Sequence, residues 1–246
     1  IGLRVGRGWL VAVLGVAPQS SPARQRRRFQ LVGLAVGIGA VLGAGRIGKI
    51  HAGNVVKQPG VALRYVIDVD GAAAAALAAQ HGAKVVTAEQ ALADPAVGAV
   101  VIGSSTDTHA DLIVRAAEAG KAIFCEKPVD LEVARARTCE AAVKRAGVTC
   151  LIGFQRRYDP TFAAAKERLV AGEIGDPEML VVTSRDPGAP PVEYLKRSGG
   201  IFRDMLIHDF DIFRWILCSD IGDGGDAADT LYASGSVLVD PEIAKV

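Results

Sequence analysis

The sequence has almost no net charge. Its 28 lysine and arginine residues nearly balance its 27 aspartate and glutamate residues, which leaves a formal charge of +1. Proteins that bind nucleic acids or anionic membranes use strongly basic surfaces to attract phosphate groups. We therefore expect neither a nucleic acid nor a membrane surface as the main partner.

Cysteine is scarce and lacks the spacing of a metal or disulfide framework. Cys125, Cys139, Cys150 and Cys218 form no CxxC pair and no cysteine–histidine cluster with zinc spacing. We expect reduced thiols packed inside an intracellular protein, and no bound metal. Half of the 246 residues are hydrophobic, which is enough for one large domain or two modest ones.

The first thirty residues differ from the rest of the chain. The apolar piece WLVAVLGVA is followed by the arginine-rich PQSSPARQRRRFQ. Three interpretations are open: an unordered extension, a secretory signal with a short apolar region, and a twin-arginine signal ahead of the apolar run 31–45. That run is too short to span a bilayer comfortably. It also extends into the glycine turn that begins at Gly43, which the mature chain must keep. We therefore favour an unordered extension over 1–30 and a cytoplasmic protein.

From residue 31 onward, short apolar runs alternate with segments of helical composition, many of them rich in alanine. Strands are predicted at 35–42, 62–67, 83–86, 97–104, within 121–128 and at 148–154. Helices are predicted between them. Strands separated by helices at this spacing favour an α/β fold with a parallel, doubly wound sheet.

The first predicted strand runs directly into GAGRIG at 43–48. A GxGxxG sequence is a weak signal by itself, but between a strand and a helix it is typical of a dinucleotide-binding turn. Gly43 allows the tight turn, Gly45 lets the backbone approach a pyrophosphate, and Gly48 lets the helix pack close to the sheet. The helix N-terminus then faces the phosphates.

Asp68 ends the second predicted strand. A carboxylate at this position accepts hydrogen bonds from ribose hydroxyls and repels a 2′-phosphate, and no arginine follows directly in DVDG. NAD is therefore favoured over NADP.

The sequence DMLIHDFD at 204–211 places ionisable side chains in an apolar helix predicted over 204–217. Residues at i, i+4 and i+7 share one helix face, so Asp204, His208 and Asp211 lie together, while Asp209 points away. A histidine beside a carboxylate is typical of a proton acceptor near neutral pH. The structural alternative is a helix N-terminus that favours acidic side chains.

The sequence FCEKP at 124–128 ends a predicted strand at the carboxyl edge of the sheet, where α/β proteins bind ligands. Lys127 at this edge can reach the nicotinamide end of a bound dinucleotide. The alternative is a solvated surface lysine.

Four separated motifs in the expected order make the sequence similar to the Gfo/Idh/MocA oxidoreductases, and within them to the inositol 2-dehydrogenase branch. These motifs are GAGRIGKIHA, STDTHADLIVRAAEAGKAIFCEKPV, GFQRRYDP and SGGIFRDMLIHDFDIFRWI. The resemblance implies an N-terminal Rossmann domain at 31–153. It also implies a second α/β domain with an open sheet, partly present at 154–246.

The resemblance also implies roles for individual residues. His208 accepts a proton from a substrate hydroxyl, Asp204 orients His208, and Lys127 hydrogen-bonds the reacting oxygen. Arg156 and Asp211 join this catalytic set in holding a polyol. The cofactor contacts implied beside Gly43, Gly45, Gly48 and Asp68 are Arg46, Ile47, Ser105, Thr106, His109 and Glu126.

These features together predict an NAD-dependent dehydrogenase of myo-inositol or a related cyclic polyol. One alternative is a relative that acts on another sugar with NADP. A second is a truncated, catalytically weak NAD-binding remnant, because the chain ends at GSVLVDPEIAKV, where family members are still entering the strands of the second domain. The resemblance implies homo-oligomers for intact members rather than for this chain.

Overall fold

The computed structural model describes residues 2–5, 8–15, 38–217, 230–237 and 240–245. The strands are β1 (Gly2–Val5), β2 (Gly8–Gly15), β3 (Ile38–Leu42), β4 (Ala62–Ile67), β5 (Lys84–Val85), β6 (Val97–Ile102), β7 (Ala122–Cys125), β8 (Cys150–Ile152) and β9 (Thr230–Ser234). The α-helices are α1 (Arg46–Val56), α2 (Gly71–His81), α3 (Ala88–Ala93), α4 (Thr106–Glu118), α5 (Val133–Ala146), α6 (Pro160–Val170), α7 (Val192–Ser198), α8 (Gly200–Asp204) and α9 (Leu206–Leu217). The 3₁₀ helices are Gln155–Tyr158 and Pro241–Lys245. The chain divides into a first unit, residues 27–153, and a second unit, residues 1–26 with 154–246.

The first unit is built on a six-stranded sheet in which all neighbouring strands pair in parallel. The strand order is β5-β4-β3-β6-β7-β8, so the succession reverses between β3 and β6. Sheets of this topology bind ligands at that switch point. The predicted doubly wound Rossmann sheet is confirmed. Its first strand, predicted at 35–42, is β3 from Ile38, and residues 35–37 lie outside the described residues.

Local sequence signals set the ends of the short helices on this sheet. The Asp70 carboxylate accepts hydrogen bonds from the N–H groups of Ala72 and Ala73 and so caps α2. Thr87 and Gln90 form a reciprocal capping box at the start of α3. A side-chain cap of this kind contributes about 1 kcal/mol to helix stability, which helps short, alanine-rich segments form helices.

The core of the first unit lies on both faces of the sheet, because successive side chains of a strand point to opposite faces. Ala40 and Leu42 of β3 belong to a buried cluster with residues of α3, α4 and α5. Val41, between them, belongs to a second cluster with residues of α1 and α2. Helices therefore cover both faces of the strand that leads into the glycine turn.

The described cysteines act as packing residues. Cys125, Cys139 and Cys150 are free thiols. Burial raises the pKa of the Cys125 thiol far above its ordinary value and that of Cys150 to about 11. Thiols with raised pKa values are neutral and poorly nucleophilic near neutral pH. Cys218 lies outside the described residues.

The second unit contains the predicted catalytic segment, but not as one continuous helix. α8 ends at Asp204 and α9 begins at Leu206, with Met205 between them. The N–H of His208 donates to the Met205 carbonyl at 3.2 Å, an i→i+3 bond that tightens a helical turn. The prediction of one helix over 204–217 is therefore wrong at Met205, and the face calculated for a single straight helix does not extend across it.

An apolar side chain is buried directly after this break. Leu206 is only 2% exposed and packs against Ile201, Met205 and Phe210. The chain thus buries Leu206 at the point where an uninterrupted helix was predicted. Ile212 and Phe213 are also buried, as predicted for the apolar side of α9.

The remaining strands of the second unit form an antiparallel sheet in the order β1-β2-β9. This differs from the unordered extension predicted for 1–30, because 2–5 and 8–15 are strands; the other residues of that range lie outside the described residues. The partner of β2 is β9, near the other end of the chain, and a pairing so distant leaves no local signal in the sequence. Within the described ranges, no helix has both the length and the apolar character to cross a bilayer.

Candidate active site

The carboxyl ends of the parallel strands are aligned by backbone hydrogen bonds that extend the sheet by one residue. The donor and acceptor pairs are Gly43 N–H to Ile67 O (2.7 Å), Gly103 N–H to Leu42 O (2.8 Å), Glu126 N–H to Ile102 O (2.9 Å) and Gly153 N–H to Cys125 O (2.8 Å). The residues that follow these strands therefore form one row along the sheet edge. Three predicted cofactor residues, Gly43, Asp68 and Glu126, lie in this row.

The glycine turn requires its glycines for different reasons. Gly43 has a φ of 111°, and a Cβ atom there would lie 2.5 Å from the Gly103 carbonyl oxygen. A Cβ atom on Gly48 would lie 1.8 Å from the Gly43 carbonyl oxygen. A Cβ atom on Gly45 would meet no described heavy atom within 4 Å. The first two positions thus have no room for a side chain, whereas Gly45 borders the open space that a pyrophosphate needs.

The N-terminus of α1 begins at this open space. Gly45 is its N-cap and brings no side chain to cap the helix, and the first turn has no acidic residue. The first N–H groups of a helix lack intrahelical acceptors and form the positive end of the helix dipole. Arg46 and Ile47, both predicted cofactor contacts, are the first residues of α1. This helix end fits the phosphates of a dinucleotide.

The Asp68 side chain is fixed against the same turn. Its Oδ2 accepts the N–H of Ala44 at 2.5 Å, and its Oδ1 accepts the N–H of Asp70 at 2.8 Å. A carboxylate has about four acceptor sites, so these two bonds leave capacity for ribose hydroxyls. The glycine turn, the end of α1 and Asp68 together fit a dinucleotide without a 2′-phosphate.

The loop after β6 is held by two hydroxyl groups. Thr108 Oγ1 donates to the Ser105 carbonyl at 2.7 Å, so the Ser104 hydroxyl donates to Thr108 Oγ1 at 2.6 Å. Ser105 is the N-cap of α4 and is exposed, and Thr106 is half-buried in its first turn. Both predicted cofactor contacts are accessible, with the loop backbone fixed beneath them.

His109, also predicted to contact the cofactor, faces the protein's own backbone. Its side chain is buried, with 2% exposure. Its Nδ1 lies 2.7 Å from the Pro128 carbonyl oxygen and its Nε2 lies 3.1 Å from the Ser104 carbonyl oxygen. Carbonyl oxygens only accept hydrogen bonds, so both ring nitrogens are directed at backbone acceptors. The ring joins the loops after β6 and β7.

Glu126 makes a hydrogen bond that sequence reasoning missed. Its Oε1 lies 2.8 Å from Nε2 of His51 on α1, and the His51 ring lies 4.8 Å from the Phe124 ring. Burial alone would raise the pKa of Glu126, but the hydrogen bond and charge of His51, with those of Lys127, hold it below its ordinary value. Seventy-five positions separate the partners, and the histidine in KIHA was the sole signal. Lys127 follows at the strand end and is half-buried.

The other predicted catalytic residues belong to the second unit. Asp204 is the last residue of α8, and His208 lies in the first turn of α9. Both are half-buried.

A partly buried ion pair joins α9 to the 3₁₀ helix Gln155–Tyr158. Arg156 Nη1 donates to Asp209 Oδ1, which also accepts the Ser184 hydroxyl at 2.5 Å. Asp209 is 3% exposed. Arg156 was predicted to contact the substrate; its buried partners, Asp209 and Ser184, were not predicted.

A second ion pair lies beside the first. Arg157 donates to both carboxylate oxygens of Asp211, from Nε at 2.7 Å and from Nη2. Asp211, predicted to face the substrate, is 8% exposed. Paired N–H donors match the geometry of a carboxylate and are stronger than a single neutral hydrogen bond. The sequence signal for both pairs was two adjacent arginines and two aspartates spaced by two residues.

Two protein-family models match successive parts of the chain, one in each unit. The model of the oxidoreductase family with an NAD-binding Rossmann fold, GFO_IDH_MocA, matches residues 39–154. The model of the GFO/IDH/MocA C-terminal domain matches residues 162–240.

Individual relatives agree with these matches. The chain is 49% identical over 203 residues to inositol 2-dehydrogenase of Rhizobium meliloti, covering 82% of this chain and 59% of that protein. The crystal structure of a myo-inositol dehydrogenase from Corynebacterium glutamicum is 42% identical with a TM-score of 0.69, covering 73% of this chain and 54% of that one. A scyllo-inositol dehydrogenase from Lactobacillus casei, with bound NAD(H) and scyllo-inositol, is 31% identical with a TM-score of 0.68, covering 73% and 56%.

The chain therefore spans 59% of the length of the Rhizobium meliloti relative. The matched residues include the glycine turn, the row of strand ends and the α8–α9 segment. The chain belongs to the Gfo/Idh/MocA oxidoreductase family, and residues 39–154 form its NAD-binding Rossmann domain.

Proposed function

We propose that this chain is an NAD-dependent dehydrogenase that oxidises one hydroxyl of myo-inositol or a related cyclic polyol. The observation that carries the proposal is the glycine turn, where the open space at Gly45 meets the uncapped N-terminus of α1 and the fixed Asp68 carboxylate. The inositol class of substrate comes from the names of the relatives. We place this activity in the cytoplasm.

NAD is held by the first unit in this proposal. The N-terminal turn of α1, with Arg46 and Ile47, binds the pyrophosphate, and Asp68 binds the ribose hydroxyls. Ser105, Thr106 and Glu126 are the remaining proposed contacts, on the loops after β6 and β7. When bound, the nicotinamide ring supplies the acceptor for the hydride.

The chemical step is assigned to Lys127, Asp204 and His208. His208 accepts the proton of the reacting hydroxyl, and Asp204 keeps the imidazole oriented and stabilises its charged form. The Lys127 ammonium donates a hydrogen bond to the oxygen on which negative charge develops.

Arg156 and Asp211 are proposed to hold further hydroxyl groups of the polyol. A guanidinium has five N–H donors, and Arg156 uses only one of its nitrogens, Nη1, in the bonds to Asp209 and Ser184. Asp211 accepts two bonds from Arg157, and two of the roughly four acceptor sites of a carboxylate then remain.

The direct test combines binding and turnover in one preparation of the chain. NAD and NADP are titrated by calorimetry, and the reduction of each cofactor is followed with myo-inositol, scyllo-inositol and a panel of aldose sugars. We expect binding of NAD and oxidation of inositols. Turnover with NADP alone would contradict the proposed role of Asp68, and binding of NAD without any turnover would favour a catalytically weak NAD-binding protein.

Two variants connect this activity with the assigned residues. Lys127→Ala and His208→Ala are each expected to lower turnover by about 100-fold or more, because Lys127 stabilises the charge that develops on the reacting oxygen and His208 accepts its proton. Their NAD affinity should stay near that of the unsubstituted chain, because neither residue belongs to the glycine turn. Loss of NAD affinity as large as the loss of turnover would contradict this assignment.

A further inference from the structure

The residues on both sides of Lys127 are held by histidine rings. Glu126, which precedes Lys127, is hydrogen-bonded through its carboxylate to His51 at 2.8 Å. Pro128, which follows Lys127, accepts a hydrogen bond at its carbonyl oxygen from His109 at 2.7 Å. Lys127 is therefore the residue between two separately anchored neighbours.

His51 connects the anchored Glu126 to the cofactor helix. It lies in α1, whose N-terminus borders the glycine turn, and its ring packs beside Phe124 of β7. The carboxylate of Glu126 also has little free space on another side, because a Cβ atom on Gly153 would lie 3.1 Å from Oε2. The lowered pKa of Glu126 means that it accepts as a carboxylate, and such charge-assisted bonds are about twice as strong as neutral ones.

His109 anchors the other side through the backbone. It lies in α4, is 2% exposed, and its second ring nitrogen faces the Ser104 carbonyl oxygen at 3.1 Å. It thus links the loop after β6 to the residue that follows Lys127. An apolar side chain in its place would remove the ring N–H that bonds a backbone carbonyl oxygen here, and buried polar groups are rarely left unpaired.

We propose that His51 and His109 are positioning residues for Lys127: they fix the backbone on either side of it, so that its ammonium group is aimed at the reacting oxygen. This inference rests on the proposed function. A lysine side chain is long and flexible, so its reach is defined only if its backbone is fixed. Misplacement of a reacting group by about 1 Å can lower a rate by about 100-fold.

The test uses variants that remove the hydrogen bonds and variants that keep them. His51→Phe retains an aromatic ring beside Phe124 but cannot bond Glu126, and His109→Leu removes the ring nitrogens that face the Pro128 and Ser104 carbonyl oxygens. His51→Gln and His109→Gln keep an N–H donor. His81→Gln is the matched control, because His81 is the last residue of α2 and lies outside the proposed site.

Three quantities are measured for each variant: kcat and KM with myo-inositol, NAD affinity by calorimetry, and hydrogen exchange of the segment from β7 to Pro128. We expect kcat to fall about tenfold in His51→Phe, because this variant loses one charge-assisted hydrogen bond. We expect a larger fall in His109→Leu. KM and NAD affinity should change by less than about threefold. Binding energy that is equal in the ground state and the transition state is not affected. Exchange should accelerate in the segment, and the glutamine variants should recover most of the kcat.

A merely structural role would give a different result. In that case kcat, NAD affinity and thermal stability would fall together, and the glutamine variants would not restore kcat selectively. Unchanged kcat despite faster exchange around Lys127 would also overturn the inference.

Failure of the proposed function would give a result that can be distinguished from failure of this inference. The unsubstituted chain would then bind NAD without oxidising any polyol. The exchange measurement still decides whether the histidines hold the Lys127 segment: unchanged exchange in both His51→Phe and His109→Leu would overturn the anchoring itself.

Discussion

The two units hold their proposed functional residues in different ways. In the first unit, the row at the sheet edge is aligned by backbone hydrogen bonds, such as the bond from the N–H of Gly43 to the carbonyl of Ile67. In the second unit, the helix that contains His208 is joined to Gln155–Tyr158 by side chains, through the Arg156–Asp209 and Arg157–Asp211 pairs. Backbone bonds depend little on which side chains are present, whereas ion pairs depend on both partners.

This difference determines where each unit is sensitive to substitution. The first unit is vulnerable where a side chain has no room, as at Gly48 of α1, because the geometry of the sheet edge otherwise follows from strand pairing. The α9 helix is vulnerable where a buried charge would lose its partner. Removing one partner of a buried pair costs more than the pair contributes, because the remaining charge stays in a poorly solvated site.

The largest expected effect is that of Gly48→Ala. Its Cβ atom would lie 1.8 Å from the Gly43 carbonyl oxygen, and α1 would have to move away from the turn. We expect a loss of about 4 kcal/mol or more in the stability of the first unit and no measurable NAD binding. Hydrogen exchange and calorimetry measure the two effects.

Gly45→Ala is the matched control in the same turn. Its Cβ atom would meet no described atom, so stability should change little while NAD affinity falls. Equal destabilisation by the two alanines would contradict the close contact at Gly48 as the cause, because alanine favours a helix more than glycine does.

The next largest effect is expected for Arg157→Leu. This change leaves the Asp211 carboxylate, which is 8% exposed, without the bidentate hydrogen bonds from Arg157. Breaking a fully buried pair costs about 3 kcal/mol or more; because Arg157 is partly exposed, we expect a loss of up to about 3 kcal/mol and faster exchange of α9 amides. Arg168→Leu is the control, since its partner Glu173 forms an exposed pair with it and such pairs contribute little. Similar effects of the two changes would mean that α9 is not held by the Arg157 pair.

A smaller effect is expected for Asp68→Asn, which tests how the first unit selects its cofactor. The amide keeps the size of the side chain but replaces a charged acceptor, so NAD affinity should fall about tenfold. NADP affinity should rise relative to NAD, because the negative charge facing a 2′-phosphate is removed. Calorimetric titration of both cofactors gives this ratio, and an unchanged ratio would contradict the proposed basis of selection.

The first unit was largely predictable because its determinants are local in the sequence. The glycine turn, Asp68 and the alternation of strands with helices each occupy one short segment, and hydrophobic periodicity fixes the sheet. The bond of Asp68 to Ala44 follows from strand order, since β4 pairs with β3. By contrast, the His51–Glu126 pair depends on how α1 packs against β7, which no local pattern specifies.

In the second unit, helix periodicity predicted that α9 has an apolar side but missed the break at Met205. Leu206 packs against Ile201 and Phe210 directly after the break, and a helical wheel does not include such contacts. Likewise, the sequence presented Arg156, Arg157, Asp209 and Asp211, but several pairings of two arginines with two aspartates are possible. The choice depends on the path of the chain between residues 158 and 206.

The smallest expected effect concerns the pH dependence of Glu126, a side chain of the first unit held by another side chain. Its pKa is lowered in the folded protein despite burial, so its contribution to stability is present above the unfolded value of about 4.3. This contribution is lost as the pH falls through the lower folded value. Glu126→Gln should therefore be less stable than the unsubstituted chain at neutral pH and should show a shallower loss of stability below about pH 4.3.

Urea unfolding at several pH values measures how steeply the free energy of unfolding changes with pH. The control is Glu118→Gln, because Glu118 is an exposed carboxylate at the end of α4. If both variants have the same slope, the His51 bond does not affect acid stability, and the first unit depends on its backbone bonds even at Glu126.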